Sequence, residues 1–244
     1  MNQLLSINSL KAWYTEDKPV LKGMNIDLEE NSVIGLIGLN GAGKTTLMNV
    51  ICGLHPGYET SGIKLKGENI TFTDKNFKMK RYIVFSEDES FGYFTFDEYL
   101  AYVFKSYKKK PDGEYINELV TGFGFEEHRP KMIKDLSLGN RRKAYLITGF
   151  ALKPELLLLD EPVNGLDFTS TETLYSLIAG YKKYGTVLFS SHILESVTLT
   201  SDKVLVLENG VISKTYTGED INPENIRNSL GTEDDQQEVK GENV

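Results

Sequence analysis

The stretch that decides the fold is GLNGAGKT, residues 38–45, which follows the apolar run SVIGLI at residues 32–37. It matches the phosphate-binding pattern GxxxxGK[ST] at every fixed position. Glycines let backbone N–H groups converge on phosphate oxygens, and the following helix, predicted over residues 45–52, directs its positive end at them. Lys44 would reach the β- and γ-phosphates, and the Thr45 hydroxyl would bind Mg²⁺. We therefore predict a nucleotide site here rather than a glycine-rich structural turn. The predicted nucleotide-binding residues of this unit are Gly38, Leu39, Asn40, Gly41, Ala42, Gly43, Lys44, Thr45 and Thr46.

A second motif is LLLLDE at residues 156–161, an apolar strand that ends in two carboxylates. Open α/β sheets bind their ligands at the carboxyl ends of strands, so this position suits chemistry better than an ordinary turn would. Asp160 would hold Mg²⁺, and Glu161 would polarise the water that attacks the γ-phosphate. The two motifs together predict a site that binds and hydrolyses a nucleotide.

The remaining sequence predicts an α/β fold with a mainly parallel sheet. Strand-like pieces at residues 4–14 and 24–28, broken by Asp17, Lys18 and Pro19, indicate an antiparallel edge region. Between residues 91 and 152 the pattern becomes helical alone, which we interpret as an inserted helical sub-domain. The predicted buried strands cover residues 32–37, 82–85, 156–160, 186–190 and 204–207, and the helices of the insert cover residues 97–107, 114–123 and about 140–152.

Composition limits the classes of protein that fit. A hydrophobic fraction of 40% in 244 residues allows one domain with a sizeable core. The single cysteine, Cys52, cannot form an internal disulfide and indicates a reducing compartment, and we expect no signal peptide. The net charge of −8 argues against nucleic acid as the main ligand. No apolar run approaches the roughly 20 residues that span a bilayer, so membrane association would come only through a partner.

The stretch LSLGN at residues 136–140, in the helical segment, completes a recognisable set. The chain resembles the ATPase domains of ABC transporters over about residues 4 to 215, and LSLGN is similar to that family's LSGGQ signature. The resemblance implies an ABC ATPase domain with a P-loop NTPase core at residues 1–230, which includes the helical sub-domain at about 91–152. The polar, acidic composition of residues 231–244 predicts a disordered solubilising tail, with a regulatory role as the alternative. That tail carries five acidic side chains against one lysine, a net charge of −4.

The signature departs from the family pattern at two positions, because Leu138 stands for the first glycine and Asn140 for glutamine. Ser137 and Gly139 remain, and the resemblance implies that they face the γ-phosphate of ATP bound to a second subunit. Leucine at position 138 resembles a variant of single-domain bacterial ATPases that serve separate export permeases.

The resemblance assigns roles to three further residues. Asp167, after Glu161, matches the carboxylate of the D-loop, which communicates across the ATPase dimer. His192, at the end of the strand TVLFSS, matches the switch histidine that senses the γ-phosphate. Glu87 falls where the family has the Q-loop glutamine, and its carboxylate would approach Mg²⁺. His55 and His128 have no such context, and we expect ordinary loop residues.

The adenine base needs a flat aromatic partner. Tyr14 aligns with the residue that the family stacks on adenine, and Trp13 is the competitor one position away. On an alternating strand only one of the two side chains can face the nucleotide. A core aromatic is the structural alternative for Tyr14.

The resemblance implies an ATP- and Mg²⁺-dependent ATPase that pairs with a second ATPase copy, as a homodimer in the simplest case, and with a transmembrane permease at the cytoplasmic face of the cell membrane. Export of a peptide, antibiotic or other amphiphile is preferred, and import is the alternative. A soluble ATPase acting on ribosomes or DNA is disfavoured by the single ATPase domain and the acidic charge. A metabolic kinase or GTPase is disfavoured by the signature, by His192 and by the lack of an Asn-Lys-x-Asp pattern.

Overall fold

Two β-sheets and eight α-helices make up the protein in the computed structural model, which describes residues 2–230. The strands are β1 (Gln3–Thr15), β2 (Lys18–Glu29), β3 (Val33–Ile37), β4 (Gly57–Glu59), β5 (Gly62–Leu65), β6 (Glu68–Asn69), β7 (Arg81–Val84), β8 (Leu156–Leu159), β9 (Thr186–Ser191), β10 (Lys203–Glu208) and β11 (Val211–Thr217). The helices are α1 (Lys44–Ile51), α2 (Lys75–Lys80), α3 (Phe96–Ser106), α4 (Gly113–Gly122), α5 (Leu138–Leu152), α6 (Phe168–Ala179), α7 (Leu194–Thr200) and α8 (Pro223–Ser229).

The larger sheet has the strand order β11-β10-β3-β9-β8-β7. Every neighbouring pair from β10 to β7 is parallel, and only β11 runs antiparallel at the edge. Parallel strands have their carboxyl ends at one edge of the sheet, where α/β proteins bind ligands. The loops after β3, β7, β8 and β9 therefore meet at one edge. These loops and the start of α1 contain the predicted site residues other than Tyr14, Ser137 and Gly139.

The leucine run of β8 is apolar throughout because the strand is buried on both faces. Leu157 and Leu159 belong to the core beneath the helical segment, whereas Leu156 and Leu158 pack into the core beneath the antiparallel sheet. All four side chains are at most 1% exposed. The sheet thus lies between two hydrophobic cores, as expected for strands of continuous rather than alternating hydrophobicity.

The smaller sheet is antiparallel and has the order β2-β1-β5-β6, with β4 also paired to β1. The predicted break at Asp17, Lys18 and Pro19 is shorter than expected, because β2 already begins at Lys18 and contains Pro19. Proline is tolerated there because β2 is an edge strand, where a missing N–H costs no ladder hydrogen bond. Cys52 packs in the core between the sheets, where burial raises the pKa of its thiol to about 12.

The segment from residue 91 to residue 152 contains helices α3, α4 and α5 and short 3₁₀ turns, without a named strand. Its helices match the predicted ones to within one or two residues at each end. Thr95 and Glu98 form a capping box at the start of α3, and Asp112 and Ser137 cap α4 and α5. The predicted α/β fold with an antiparallel region and a helical insert is confirmed.

The predicted acidic tail at residues 231–244 lies outside the described residues. Within residues 2–230 no helix is long and apolar enough to cross a membrane.

Candidate active site

The loop from residue 38 to residue 45 joins the central strand β3 to helix α1. Gly43 occupies the N-cap position of α1 with a backbone φ of 110°, a conformation that residues with a Cβ rarely adopt. A Cβ on Gly38 would lie 2.3 Å from the Leu207 carbonyl oxygen, so this position accepts only glycine without a backbone shift. The loop is thereby held close to the sheet, with the N-terminal end of α1 directed into it.

Lys44 is buried, with 6% of its surface exposed. Its Nζ donates to the Gly38 carbonyl at 2.7 Å and lies 3.3 Å from Glu161 Oε1. The ammonium is therefore held at the mouth of the glycine loop and beside the second predicted acid. This is the place from which a lysine can neutralise phosphate oxygens.

Asp160, at the end of β8, is completely buried and accepts two hydroxyl hydrogen bonds. Ser190 Oγ donates to its Oδ1 at 2.6 Å, and Thr45 Oγ1 donates to its Oδ2 at 2.9 Å. A hydroxyl and a carboxylate oxygen thus converge beside the phosphate loop. Mg²⁺ typically takes one or two carboxylates and completes its shell with phosphates and water, so Thr45 and Asp160 fit such an ion.

Glu161 lies between Lys44 and His192. Its Oε2 is 2.8 Å from His192 Nδ1, and its Oε1 faces the lysine ammonium. The carboxylate is mostly buried, with 13% of its surface exposed, whereas the imidazole is 46% exposed. Carboxylate and imidazole come from the ends of the neighbouring strands β8 and β9, so adjacent parallel strands place an acid and a histidine in direct contact.

A cavity of about 350 Å³ opens over the phosphate loop. Tyr14 forms part of its wall with 64% of its surface exposed, whereas Trp13 packs against Gly57 on strand β4. The His55 ring stands edge-on to Tyr14 at 4.7 Å and is itself buried, with its Nε2 3.1 Å from the Trp13 carbonyl oxygen. His55 therefore supports the wall of the cavity, a role that its sequence context did not indicate. The cavity is lined by Tyr14, Val20, Asn40, Gly41, Gly43, Lys44, Thr45, Thr46 and Glu161.

Ser137 and Gly139 lie away from this cavity, at the N-terminal end of α5. Ser137 caps the helix by accepting a hydrogen bond from the Asn140 N–H, and the neighbouring Leu138 side chain is 57% exposed. A Cβ on Gly139 would lie 2.2 Å from the Gly165 carbonyl oxygen, so the helix start packs directly on the loop after β8. Within one subunit, Ser137 and Gly139 therefore do not line the cavity over the phosphate loop.

Asp167 begins helix α6 as its N-cap and pairs with Lys143 of α5 at 2.6 Å. The ammonium of Lys143 and the Ser170 N–H hold the pKa of the Asp167 carboxyl well below its usual range. This ion pair joins the loop after β8 to the helix that starts with the LSLGN motif. The two predicted dimer-facing motifs are thus fixed to each other within one chain.

Glu87 follows β7 and has an exposed side chain. It does not line the cavity over the phosphate loop, and the metal role predicted for it therefore lacks the direct support that Thr45 and Asp160 have. His128, expected to be an ordinary loop residue, contacts the Asn140 side chain at 3.1 Å from a 3₁₀ turn.

The family model described as ABC transporter matches residues 21–164, more than half of the chain. The chain belongs to the ABC transporter family. A putative ABC transporter ATP-binding protein of Bacillus subtilis, AlbC, is 35% identical over 216 residues, which cover 86% of this chain and 90% of AlbC. The zinc import ATP-binding protein ZnuC of a Wolbachia species is 26% identical over 219 residues, which cover 89% of this chain and 85% of ZnuC. A solved ATP-binding subunit of an ABC transporter superposes with a TM-score of 0.80, at 25% identity and with 97% and 98% of the two chains covered.

The predicted family is therefore confirmed, and with it the activity of an ATPase that uses ATP and Mg²⁺. Sequence analysis missed three residues that organise this ABC ATPase site. Ser190 holds Asp160, His55 supports Tyr14, and Arg142 donates hydrogen bonds to the Glu161 and Ser86 carbonyls. Ser190 and Arg142 were visible as a hydroxyl at a buried strand end and a basic residue after LSLGN, but His55 had no distinguishing pattern.

Proposed function

We propose that Lys44, Glu161 and His192 perform the chemical step of ATP hydrolysis in this ABC ATPase. The contacts of the Glu161 carboxylate with both other side chains carry this proposal. Glu161 orients a water molecule and accepts its proton, His192 fixes the carboxylate and faces the γ-phosphate, and Lys44 balances phosphate charge. Thr45 and Asp160 would hold Mg²⁺, which would neutralise further phosphate charge. Tyr14 stacks on the adenine ring.

We propose further that the chain dimerises on ATP and drives a separate transmembrane permease. Ser137 and Gly139 lie outside the cavity of their own subunit, and Leu138 beside them is exposed. A helix N-terminus can bind an anion. A second copy would bring this helix start against bound ATP, and each of the two sites would then be completed by the opposite subunit.

An aromatic groove of about 500 Å³ is the surface that we assign to the permease. It lies between the loop after β7 and the 3₁₀ turn at Ile133–Asp135, and Tyr93 at its edge is 78% exposed. The half-buried Phe91 and Phe94 lie beside it, and an exposed aromatic side chain at an apolar groove is typical of an interaction surface. The groove also contains Glu89, two residues from Glu87, so an occupant would contact the loop that leads towards the active site. Its apolar lining residues are Phe91, Tyr93, Phe94 and Ile133.

We propose export of a peptide, antibiotic or other amphiphile as the direction of transport. The supporting features are Leu138 in the signature and the stretch SHIL at residues 191–194, both of which resemble ATPases of export permeases. Import is the second candidate, because ZnuC, a named import ATPase, is among the relatives.

The nucleotide assignment is tested by Lys44→Ala. Because a charge-assisted hydrogen bond contributes about 1.5–3 kcal/mol, we expect the ATP dissociation constant to rise about 10- to 100-fold. Isothermal titration calorimetry with ATP gives this constant directly. Lys182→Ala removes an exposed lysine paired with Asp202 and serves as the matched control. An unchanged constant for Lys44→Ala would contradict the phosphate-loop assignment.

The direction of transport is tested with the native complex, obtained by co-purifying the chain with its membrane partner. In liposomes that expose the ATPase outside, an exporter takes a fluorescent amphipathic peptide into the lumen when MgATP is added. The Glu161→Gln complex should show no such uptake, because hydrolysis is blocked. ATP-dependent release of lumenal cargo would instead establish import.

A further inference from the structure

Glu161 has an unusual backbone conformation for a residue with a side chain. Its φ is 47°, in the left-handed region, and it is followed by Pro162, which normally drives the preceding residue to extended backbone. A non-glycine residue in this region costs about 1–3 kcal/mol and persists only where the surrounding structure holds it. The side chain in question is the proposed catalytic carboxylate, so the groups that hold its backbone also set its direction.

Side chains hold both polar backbone groups of Glu161. Its N–H donates to Ser190 Oγ at 2.8 Å, and its carbonyl oxygen accepts a hydrogen bond from Arg142 Nη1. The same carbonyl accepts the Asn164 N–H at 3.2 Å, which closes a local turn. The Ser190 and Asn164 contacts come from the adjacent strand and the local turn, whereas Arg142 reaches Glu161 from helix α5.

Arg142 also connects Glu161 to a second loop. Its Nη2 donates to the Ser86 carbonyl oxygen, one residue before Glu87, and the side chain is buried with 4% exposure. Burial lowers the pKa of the guanidinium, while the carboxylates of Asp160, Glu161 and Glu87 oppose that shift. The planar guanidinium can hold two carbonyls at fixed separation, which the single ammonium of lysine cannot.

We infer that Arg142 is a positioning residue for hydrolysis, which holds Glu161 in its left-handed backbone and couples that backbone to the loop of Glu87. This inference rests on the proposed role of Glu161. Through Arg142, a movement of helix α5 or of residues 86–87 changes where the Glu161 carboxylate points relative to Lys44 and His192. Binding of ATP uses the phosphate loop and Tyr14, so Arg142 acts on turnover and not on affinity.

The test compares Arg142→Met, which keeps a long buried side chain without donors, with Arg129→Met. Arg129 lies in the same helical segment but pairs with the Asp97 carboxylate away from the cavity. We expect kcat of Arg142→Met to fall tenfold or more with KM for MgATP within twofold, and Arg129→Met to keep both constants within twofold. Arg142→Lys, which can satisfy one carbonyl, should lie between wild type and Arg142→Met. Should Arg142→Met fail to fold, Arg142→Lys carries the test, and a wild-type kcat in either folded variant overturns the inference.

Combination with Glu161→Gln separates positioning from a general structural effect. If Arg142 acts through Glu161, then adding Arg142→Met to Glu161→Gln lowers the residual single-turnover rate by less than twofold. A further tenfold loss in the double variant would mean that Arg142 acts elsewhere and would overturn the inference. Near-normal hydrolysis by Glu161→Gln alone would instead overturn the role of Glu161, and with it the route by which Arg142 acts. Radiolabelled ATP measures these slow rates.

Discussion

Trp13 and Tyr14, neighbours on strand β1, face opposite sides of the strand and have different contacts. Alternation along β1 places Trp13 against Gly57, whereas Tyr14 emerges at the cavity over the phosphate loop. The buried His55 ring supports Tyr14 from the side and leaves most of its surface exposed. An aromatic side chain held in this way can stack on a base without paying the entropy of ordering a flexible one.

We expect Tyr14→Ala to raise the ATP dissociation constant severalfold, because an aromatic stack contributes about 0.5–1.5 kcal/mol beyond its burial. Tyr14→Phe keeps the flat face and should bind ATP within twofold of wild type. Trp13→Ala should leave the constant nearly unchanged and lower the urea midpoint of unfolding instead. Calorimetric titration with ATP, together with urea unfolding, distinguishes these outcomes. Weak binding by Trp13→Ala with normal binding by Tyr14→Ala would transfer the adenine contact to Trp13.

At the scale of elements, helix α5 connects the loops of the active site. Its first turns hold the Glu161 and Ser86 carbonyls through Arg142 and the Asp167 carboxylate through Lys143. Lys143 is buried, so the loss of its partner leaves a charged group poorly compensated. The ion pair should therefore contribute to folding stability although the carboxylate itself is 58% exposed, where solvent weakens the attraction.

Asp167→Asn keeps an N-cap acceptor and removes the charge, so we expect a loss of about 1 kcal/mol in the free energy of unfolding at pH 7. The folded-state pKa of Asp167 is lowered, so its stabilisation is complete above the unfolded pKa of about 3.9 and is lost as the pH falls below it. The difference between wild type and variant should be constant from pH 8 to 5 and narrow below about pH 4. Urea unfolding across this range measures it.

Asp112→Asn is the matched control for this experiment. Asp112 also caps a helix and is also 58% exposed, but its nearest ammonium, that of Lys153, is 3.9 Å away. Asp112→Asn should therefore lower the free energy of unfolding by less than Asp167→Asn does. Two results would show that the cap and not the ion pair stabilises this element. One is an equal loss of unfolding free energy in the two variants, and the other is a difference between wild type and Asp167→Asn that does not change with pH.

Elements with long apolar or periodic runs were predictable from the sequence, and so were the motifs at their ends. Each motif follows a buried parallel strand, and parallel strands end at one edge, so Lys44, Asp160, Glu161 and His192 had to meet. Strands β4, β5 and β6 were missed because they have only 3, 4 and 2 residues, too few for a visible alternation. Arg142 could not be assigned its partners, because its contacts span 19 and 56 residues of sequence.

At the scale of the whole molecule, the phosphate loop and the LSLGN motif, which together make up the expected ATP site, lie apart within one subunit. The cavity with the phosphate loop lies over the carboxyl edge of the parallel sheet, and the start of α5 lies outside it beside the exposed Leu138. Yet Gly139 packs on Gly165 and Lys143 pairs with Asp167, so the helix start moves together with the loop after Glu161, the proposed catalytic carboxylate. A dimer that buries the LSLGN motif of one subunit against ATP on the other would therefore act on hydrolysis at both sites.

The dimer is tested by trapping it and then preventing its assembly. Glu161→Gln keeps the shape of the side chain but removes the carboxylate that we propose as the proton acceptor. The variant should therefore bind ATP, fail to hydrolyse it and accumulate as a dimer. In the proposed dimer, the γ-phosphate bound to the opposite subunit docks at Ser137. Adding Ser137→Arg would place a bulky side chain at that position, so the protein should remain monomeric while each monomer still binds ATP. Sedimentation velocity in the presence of MgATP distinguishes the monomer from the dimer.

Ser137→Arg also removes the cap of α5, which by itself costs about 1 kcal/mol of stability. Ser137→Ala loses the same cap without adding bulk, so in the Glu161→Gln background it isolates the capping effect and should still dimerise. Ser137→Thr keeps both the cap and a small hydroxyl and should dimerise as the parent does. If the variant with Ser137→Arg sediments as a dimer, then residues 136–140 do not face ATP on the opposite subunit. The two-subunit site would then have to be completed by another surface of the chain.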